Sequence, residues 1–531
     1  MKKRILSFAL LAALCFQKAN AQNPYLPLWE FIPDGEPYVF DDPDNKGKKR
    51  VYIYGSHDNL VTEYCGRDQV VWSAPVEDLT NWRYDGVIFT STKNAKGELM
   101  NKDGLGDVLY APDVTLVTGK DGKKTYYLYP NNQAWGRNGM IARSSRPDGK
   151  FEVCNWSKDN PNVSDGILAF DPAVFVDDDG RVYGYWGFKR SNGAELDPVT
   201  MATVKPGTKI VEDMIPGYEQ DDVFRFFEAS SMRKIKDKYV YIYSRWTRDG
   251  EEGLPESNYT LAYCYSNNPL GPFKYGGTII DGRAREKQPD GSTIVTATPN
   301  GNTHGSICEI NGKWWVFYHR QAGTDEYSRQ AMVAPITVDV KEGPDGYVKI
   351  SEAEYTSEGF MTEGLDPFKT YPAGIACYYT GPKPAHQEYP NVIYPGSHTE
   401  IVRINYDKSV APYDASINRC AMVNNVSGSV FGYKYFNLDK TYGKKNVRLW
   451  IEYDNSATDG TIDIMLDSPY KDRGGKNVGS LQIKGKSAGK RSIDTVLKGI
   501  DKLKGKHSLF LVFTSKEEGK NICNVHRLGM K

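Results

Sequence analysis

Charge of one sign is missing from this chain. Its 67 lysines and arginines balance 67 aspartates and glutamates, so no net field draws it toward nucleic acid or an anionic membrane surface. Neither partner is expected. Cysteine is scarce: with Cys15 set aside in the N-terminal leader, Cys65, Cys154, Cys264, Cys308, Cys377, Cys420 and Cys523 remain, widely and irregularly spaced. That spacing excludes a disulfide framework and a zinc cluster. Several lie in apolar strand runs such as LAYCYS and GSICEI, where a thiol packs as a small hydrophobe. Beyond residue 21 no apolar run approaches the ~18–20 residues of a membrane-spanning helix. Helical periodicity is almost absent as well. KRSIDTVLKGIDKLKG carries some, but its setting among strand-like segments favours strand and loop.

The leader, MKKRILSFALLAALCFQKANAQ, joins a basic start, an apolar run and a small-x-small site at Ala19-Asn20-Ala21. It reads as an export signal over residues 1–21. Leu14, where a small residue would be needed before Cys15, argues against a lipid anchor. An exported, soluble monomer in the periplasm or outside the cell is expected.

Aromatic residues are plentiful at 12%, with 36 Tyr and 10 Trp. They suit closely packed β-sheet, and also ligands that present flat C–H faces. Five segments share one grammar, an acidic residue or histidine opening a strand, a Gly/Lys/Asp turn, and an aromatic-rich strand. They begin at Glu36, Asp113, Asp171, Glu228 and His304. Period-2 strands and tight turns recurring every ~60–80 residues predict a propeller of five blades over 22–347. A polar connector over 348–372 follows, and then alternating strands such as KNVRLWIEYDN and HSLFLVFTS, which predict a β-sandwich over 373–531. The fold class is all-β.

Inner propeller strands start near the axis, so the five opening residues are expected to face one shared funnel. Carboxylates gathered there raise one another's pKa, which holds one acid protonated beside an ionised base. Glycoside hydrolysis needs such a pair. Any one of these residues is as well explained by turn capping; five equivalent positions filled by D, D, E, E and H favour a site.

The segments IPDGEPYVF, VYIYGSHD, LYAPDV, FDPAVFVDDDGRVY, FFEASSMRKI, SNNPLGPFKYGG, THGSICEINGKWWVFYHR and YSRQAM resemble those of glycoside hydrolase family 43, over roughly residues 25–350. The resemblance implies an inverting exo-hydrolase acting on arabinose- and xylose-containing glycans. It places the general acid at Glu228, an aspartate that tunes and orients the acid at Asp171, an axial histidine at His304 and a substrate-contacting arginine at Arg329. The base is open. The family's Asp-Pro at the first blade aligns with Glu36-Pro37, which favours Glu36, and Asp34 is the alternative. Asp113 is expected to bind substrate or position a neighbour. Of Trp72, Trp135 and Trp186, the loop NQAWGRNG makes Trp135 the candidate sugar platform, with the other two in the blade core. No cofactor is required, and a structural calcium near His304 is possible by resemblance alone.

The C-terminal segment resembles a family 6 carbohydrate-binding module. Its loop KSAGKRSIDTV, however, lacks the aromatic residue that such modules stack on sugar, so a role as a brace for the propeller stays open. The runner-up functions are galactan hydrolysis and sugar binding without turnover.

Overall fold

The computed structural model describes residues 22–531 apart from 61, 221, 300 and 405–417. The export signal read at 1–21 lies outside the described residues. Five antiparallel sheets form the blades. Their innermost strands are Glu36–Asp41, Asp113–Thr118, Ala173–Val176, Phe226–Ile235 and Ser306–Ile310. Four blades run in simple sequential order with four strands each, and the fifth has three. The N-terminal segment flanks the outer strand of the fifth blade, Arg329–Ile336: Tyr25 N–H donates to the Ala331 carbonyl at 3.3 Å, and the Asn23 side chain bonds both the carbonyl and the N–H of Val333. The ring is thereby closed by the start of the domain. This is the fourth strand position of the last blade.

The second strand of each blade lies between two sheets. Val51, Tyr52, Ile53 and Tyr54 are fully buried, as are Val240, Tyr241, Ile242 and Tyr243. Burial on both faces is why these strands read as continuous apolar and aromatic runs instead of alternating ones. Trp72 and Trp186 are blade core, while Trp135 is 87% exposed.

The connector is ordered along the propeller. The strand Tyr347–Ile350 crosses the boundary expected at 347/348 and pairs with Val338–Lys341. Farther on, Phe360 packs on Tyr25, Trp82, Trp315 and Phe317. The C-terminal domain is a sandwich of a five-stranded sheet around Lys506–Thr514 and a six-stranded sheet around Asn524–Met530. KRSIDTVLKGIDKLKG forms the strand Arg491–Val496 followed by a short 3-10 turn.

Propeller and sandwich share one apolar core, in which Ile279, Val316, Met332 and Ala334 meet Tyr371, Ile375 and Tyr379. Arg320 of the fifth blade is wholly buried there. It donates to the carbonyls of Gly374 at 2.6 Å and Ala376 at 2.7 Å, and to Gln330 at 3.1 Å. Each buried carbonyl left without a donor costs ~1–3 kcal/mol. Arg320→Met is therefore expected to destabilise the protein by about 3 kcal/mol, read as a lower midpoint in urea or thermal unfolding.

Candidate active site

The strand openings converge at one mouth of the propeller, and their backbones are unusual. Asp34, Asp171 and Ala229 have φ of 59°, 43° and 69°. This left-handed region costs non-glycine residues free energy and concentrates at functional sites. Around Glu228 the pairing register shifts twice, between Phe226 and Glu228 and between Glu228 and Ser231. A bulge of this kind turns a side chain out of the regular pleat. Gly305, next to His304, meets Phe317 so closely that a Cβ would lie 1.9 Å from its carbonyl oxygen; only glycine lets the fifth blade bring His304 to the axis.

A cavity of ≈ 160 Å³ opens here, lined by Asp34, Asp171, Glu228, His304 and Arg329 together with Tyr64, Cys65, Tyr110, Ala111, Gln133, Phe170, Asn302 and Thr303. It has the scale of one sugar ring. The predicted site residues divide on this geometry. Asp34, Asp171, Glu228, His304 and Arg329 line the cavity; Glu36, Asp113 and Trp135 do not.

Glu36, favoured as the base, lies beneath the floor and is 1% exposed. One of its oxygens accepts from Arg233 at 2.7 Å and Ser231 at 3.2 Å. Its other oxygen has no hydrogen-bond partner and stands 3.9 Å from His304 Nε2. Burial pushes its carboxyl up to about 7 despite Arg233. Asp113, expected to bind substrate or position a neighbour, does not line the cavity and ties three blades together, accepting from the Tyr38 hydroxyl at 2.6 Å, from its neighbour Val114 N–H and from Val174 N–H of the third blade at 2.6 Å. Trp135, 87% exposed, lies two residues along the chain from Gln133 of the cavity wall. Its loop is tied down by Arg137, which grips Asp107 through two bonds of 2.6 and 2.8 Å.

Asp34 and Glu228 are held in opposite protonation states. Burial works to raise the Asp34 carboxyl, but the Arg329 guanidinium, 3.0 Å from Oδ1, leads the groups that hold it below the usual carboxylate range, with a hydrogen bond from Ser56 adding to the effect. Arg329 is itself locked by a two-point bond to Asp58, at 2.8 and 2.9 Å, and lies under the Tyr64 ring. Its guanidinium thus orients carboxylates as well as facing the cavity. Glu228 is driven well above its ordinary value by burial first and then by Asp171 and Asp34; Asn258 is its hydrogen-bond neighbour at 3.5 Å. Asp171 reaches the fourth blade, accepting from Ala229 N–H at 3.0 Å and from Asn131 at 2.8 Å, and burial with the Asp34 charge raises it to about 7. His304 is lowered to about 4, chiefly by burial, and stays neutral near pH 7. Two titratable groups with environments that push their pKa values apart are the arrangement acid–base catalysis needs.

Calcium asks for six to eight oxygen ligands. Among the described residues, the buried side-chain atoms near His304 without a hydrogen-bond partner are its own Nε2 and one Glu36 oxygen, beside the cationic Arg233. Among the described residues no group of three or more His, Cys, Asp or Glu is placed to hold a metal. The residues present do not fit calcium at that point.

Asp58, Ser56, His319, Asn131 and Arg233 were not foreseen as site residues. Asp58 and His319 sit in the VYIYGSHD and WWVFYHR segments, so their signal was present in the motifs. His319 accepts from Asp34 N–H at 3.3 Å and turns its other nitrogen toward Asn302.

The family model for glycosyl hydrolases family 43 matches residues 40–344. A xylosidase/arabinosidase of Thermoclostridium stercorarium is 37% identical over 378 residues, covering 67% of this chain and 71% of that protein. An arabinoxylan arabinofuranohydrolase of Paenibacillus polymyxa is 26% identical, covering 98% of this chain and 78% of its own. Among solved structures, a family 43 arabinoxylan arabinofuranohydrolase of Bacillus subtilis aligns with 21% identity and a TM-score of 0.45, over 96% of this chain and 97% of that one. With the family model spanning more than half its length, this chain belongs to glycosyl hydrolases family 43.

Proposed function

We propose that the protein is an exo-acting, inverting glycosidase that releases terminal arabinofuranosyl or xylosyl residues from plant cell-wall polysaccharides or their oligosaccharides. The observation that carries this reading is the opposed pair, Asp34 held ionised and Glu228 held protonated, in one cavity of single-sugar scale. Glu228 protonates the leaving oxygen and Asp34 takes a proton from the attacking water. Glu36, bound to Arg233 under the floor, leaves the base role to Asp34. Asp171 orients the Glu228 backbone through Ala229 N–H and tunes its acidity. Arg329 fixes Asp34. The relatives named for xylosidase, arabinosidase and arabinofuranohydrolase activities support the choice of pentoses. The balance of protons needs no cofactor.

The N-terminal 21 residues direct export, and the sandwich braces the propeller through Arg320 and the shared core. A cavity of ≈ 820 Å³ in the sandwich is lined by Thr458, Asp459, Lys484, Lys486 and Lys516 among others, with no aromatic side chain. That supports bracing over sugar stacking at this end. Incubation with aryl α-L-arabinofuranoside, aryl β-D-xyloside and aryl β-D-galactoside tests the reading. Release from either pentoside, with inversion seen by NMR of the first-formed sugar, supports it; cleavage of the galactoside alone or retention of configuration overturns it.

A further inference from the structure

Resting on that reading, we propose that the C-terminal domain completes the substrate cleft, with Tyr389 forming a stacking surface for main-chain sugars adjoining the residue that is released. A cavity of single-sugar scale leaves the rest of a polysaccharide at its rim. One side of that rim is already built from the propeller. Phe170 of the cavity wall packs on Phe188 at 4.9 Å, and Phe188 on Phe227 at 5.1 Å; Phe227 then meets Trp246 at 4.9 Å.

A second stretch beside the cavity comes from the sandwich. Its hairpin His386–Glu388/Asn391–Ile393 leaves the domain and docks on the fifth blade, where Val392 N–H donates to the Thr324 carbonyl at 2.7 Å and Asn391 bridges Asp325. That docking loop runs directly into the cavity. Its next residues are Glu326, which accepts a hydrogen bond from Tyr64, and Tyr327, whose ring meets Tyr64 edge-on at 5.2 Å. After Ser328 comes Arg329, on Asp34. Arg403 clamps the same loop from the sandwich side, donating to the carbonyls of Asp58 and Tyr327 and to the Ser328 hydroxyl.

At the tip of this hairpin, which docks on the loop that leads to Glu326 and Tyr327, Tyr389 is 75% exposed. A large aromatic ring held in water beside a sugar cavity fits an uncharged ligand with a flat C–H face. The continuity of the hairpin with the cavity wall fixes the occupant as the chain attached to the cleaved sugar. Contacts this far from the broken bond supply binding energy that short substrates cannot draw on.

The test compares wild type, Tyr389→Ala and Tyr389→Phe on an aryl pentoside and on arabinoxylan. Retardation of each in arabinoxylan-containing native gels is measured in parallel, with Glu228→Gln as background. Tyr389→Ala is expected to lower kcat/KM on the polymer about tenfold and to weaken retardation, with the aryl pentoside within about twofold, and Tyr389→Phe is expected to restore the polymer. Equal loss on both substrates would mean that the hairpin acts only by supporting the Arg329 loop, and unchanged retardation and polymer turnover would remove the subsite; either overturns the proposal. If no glycoside is cleaved, the reading of function fails by itself, while loss of retardation in Tyr389→Ala still upholds the chain-binding surface.

Discussion

Asp34→Asn is expected to lower kcat on an aryl pentoside by about 10³-fold while leaving the unfolding midpoint nearly unchanged; Glu36→Gln is expected to do the reverse. An amide at position 34 cannot take the proton of the attacking water, yet Arg329 keeps its two-point bond to Asp58, so the site stays assembled. At position 36 the loss falls on Arg233, a guanidinium 14% exposed whose carboxylate partner is Glu36 at 2.7 Å. An uncompensated buried charge costs ~3–5 kcal/mol, seen in stability first. Steady-state kinetics beside thermal unfolding separates the two outcomes. Loss of turnover at full stability in Glu36→Gln, with Asp34→Asn active, would return the base to Glu36.

The different placement of these two residues, Asp34 in the cavity wall and Glu36 outside it, marks the limit of what the sequence pattern encodes. The five strand openings were legible because each blade repeats the same turn chemistry, and so was their convergence, since inner strands must start near the axis. Which opening residue faces the cavity was not legible. Asp34 precedes the strand in a left-handed conformation, and that single torsion lifts it into the cavity while Glu36 passes below. The same limit applies to Asp113, which fits the strand pattern as well as Asp171 does. Its carboxylate is consumed by Tyr38 and Val174, contacts between blades that no local pattern encodes. Trp135 was legible as exposed from the Gly- and Asn-rich loop around it. The hairpin carrying Tyr389 gave no signal, because its position depends on how the sandwich seats against the fifth blade.

Glu228→Gln is expected to lower kcat by about 10³-fold on natural linkages, and by far less on a glycoside whose leaving phenol is already acidic, with KM little changed. The contrast follows from the role: a glutamine cannot protonate the departing oxygen, and a stable phenolate scarcely needs the proton. On the proposed mechanism the active form has Asp34 ionised and Glu228 protonated. Activity therefore rises with pH as Asp34 loses its proton, below the ordinary carboxylate range, and falls as Glu228 loses its proton, well above its ordinary value. Asp171, raised to about 7, interacts with Glu228, so the alkaline limb belongs to the two together. Asp171→Asn removes the negative charge that raises Glu228 but keeps an oxygen for Ala229 N–H. Its alkaline limb is expected to move to lower pH by roughly one unit, with the acid limb fixed. A fall in kcat with no movement of that limb would mean that Asp171 holds Glu228 in place and does not set its acidity; the pH profile of kcat/KM on a pentose oligosaccharide, whose sugar leaving group needs the proton, decides between them.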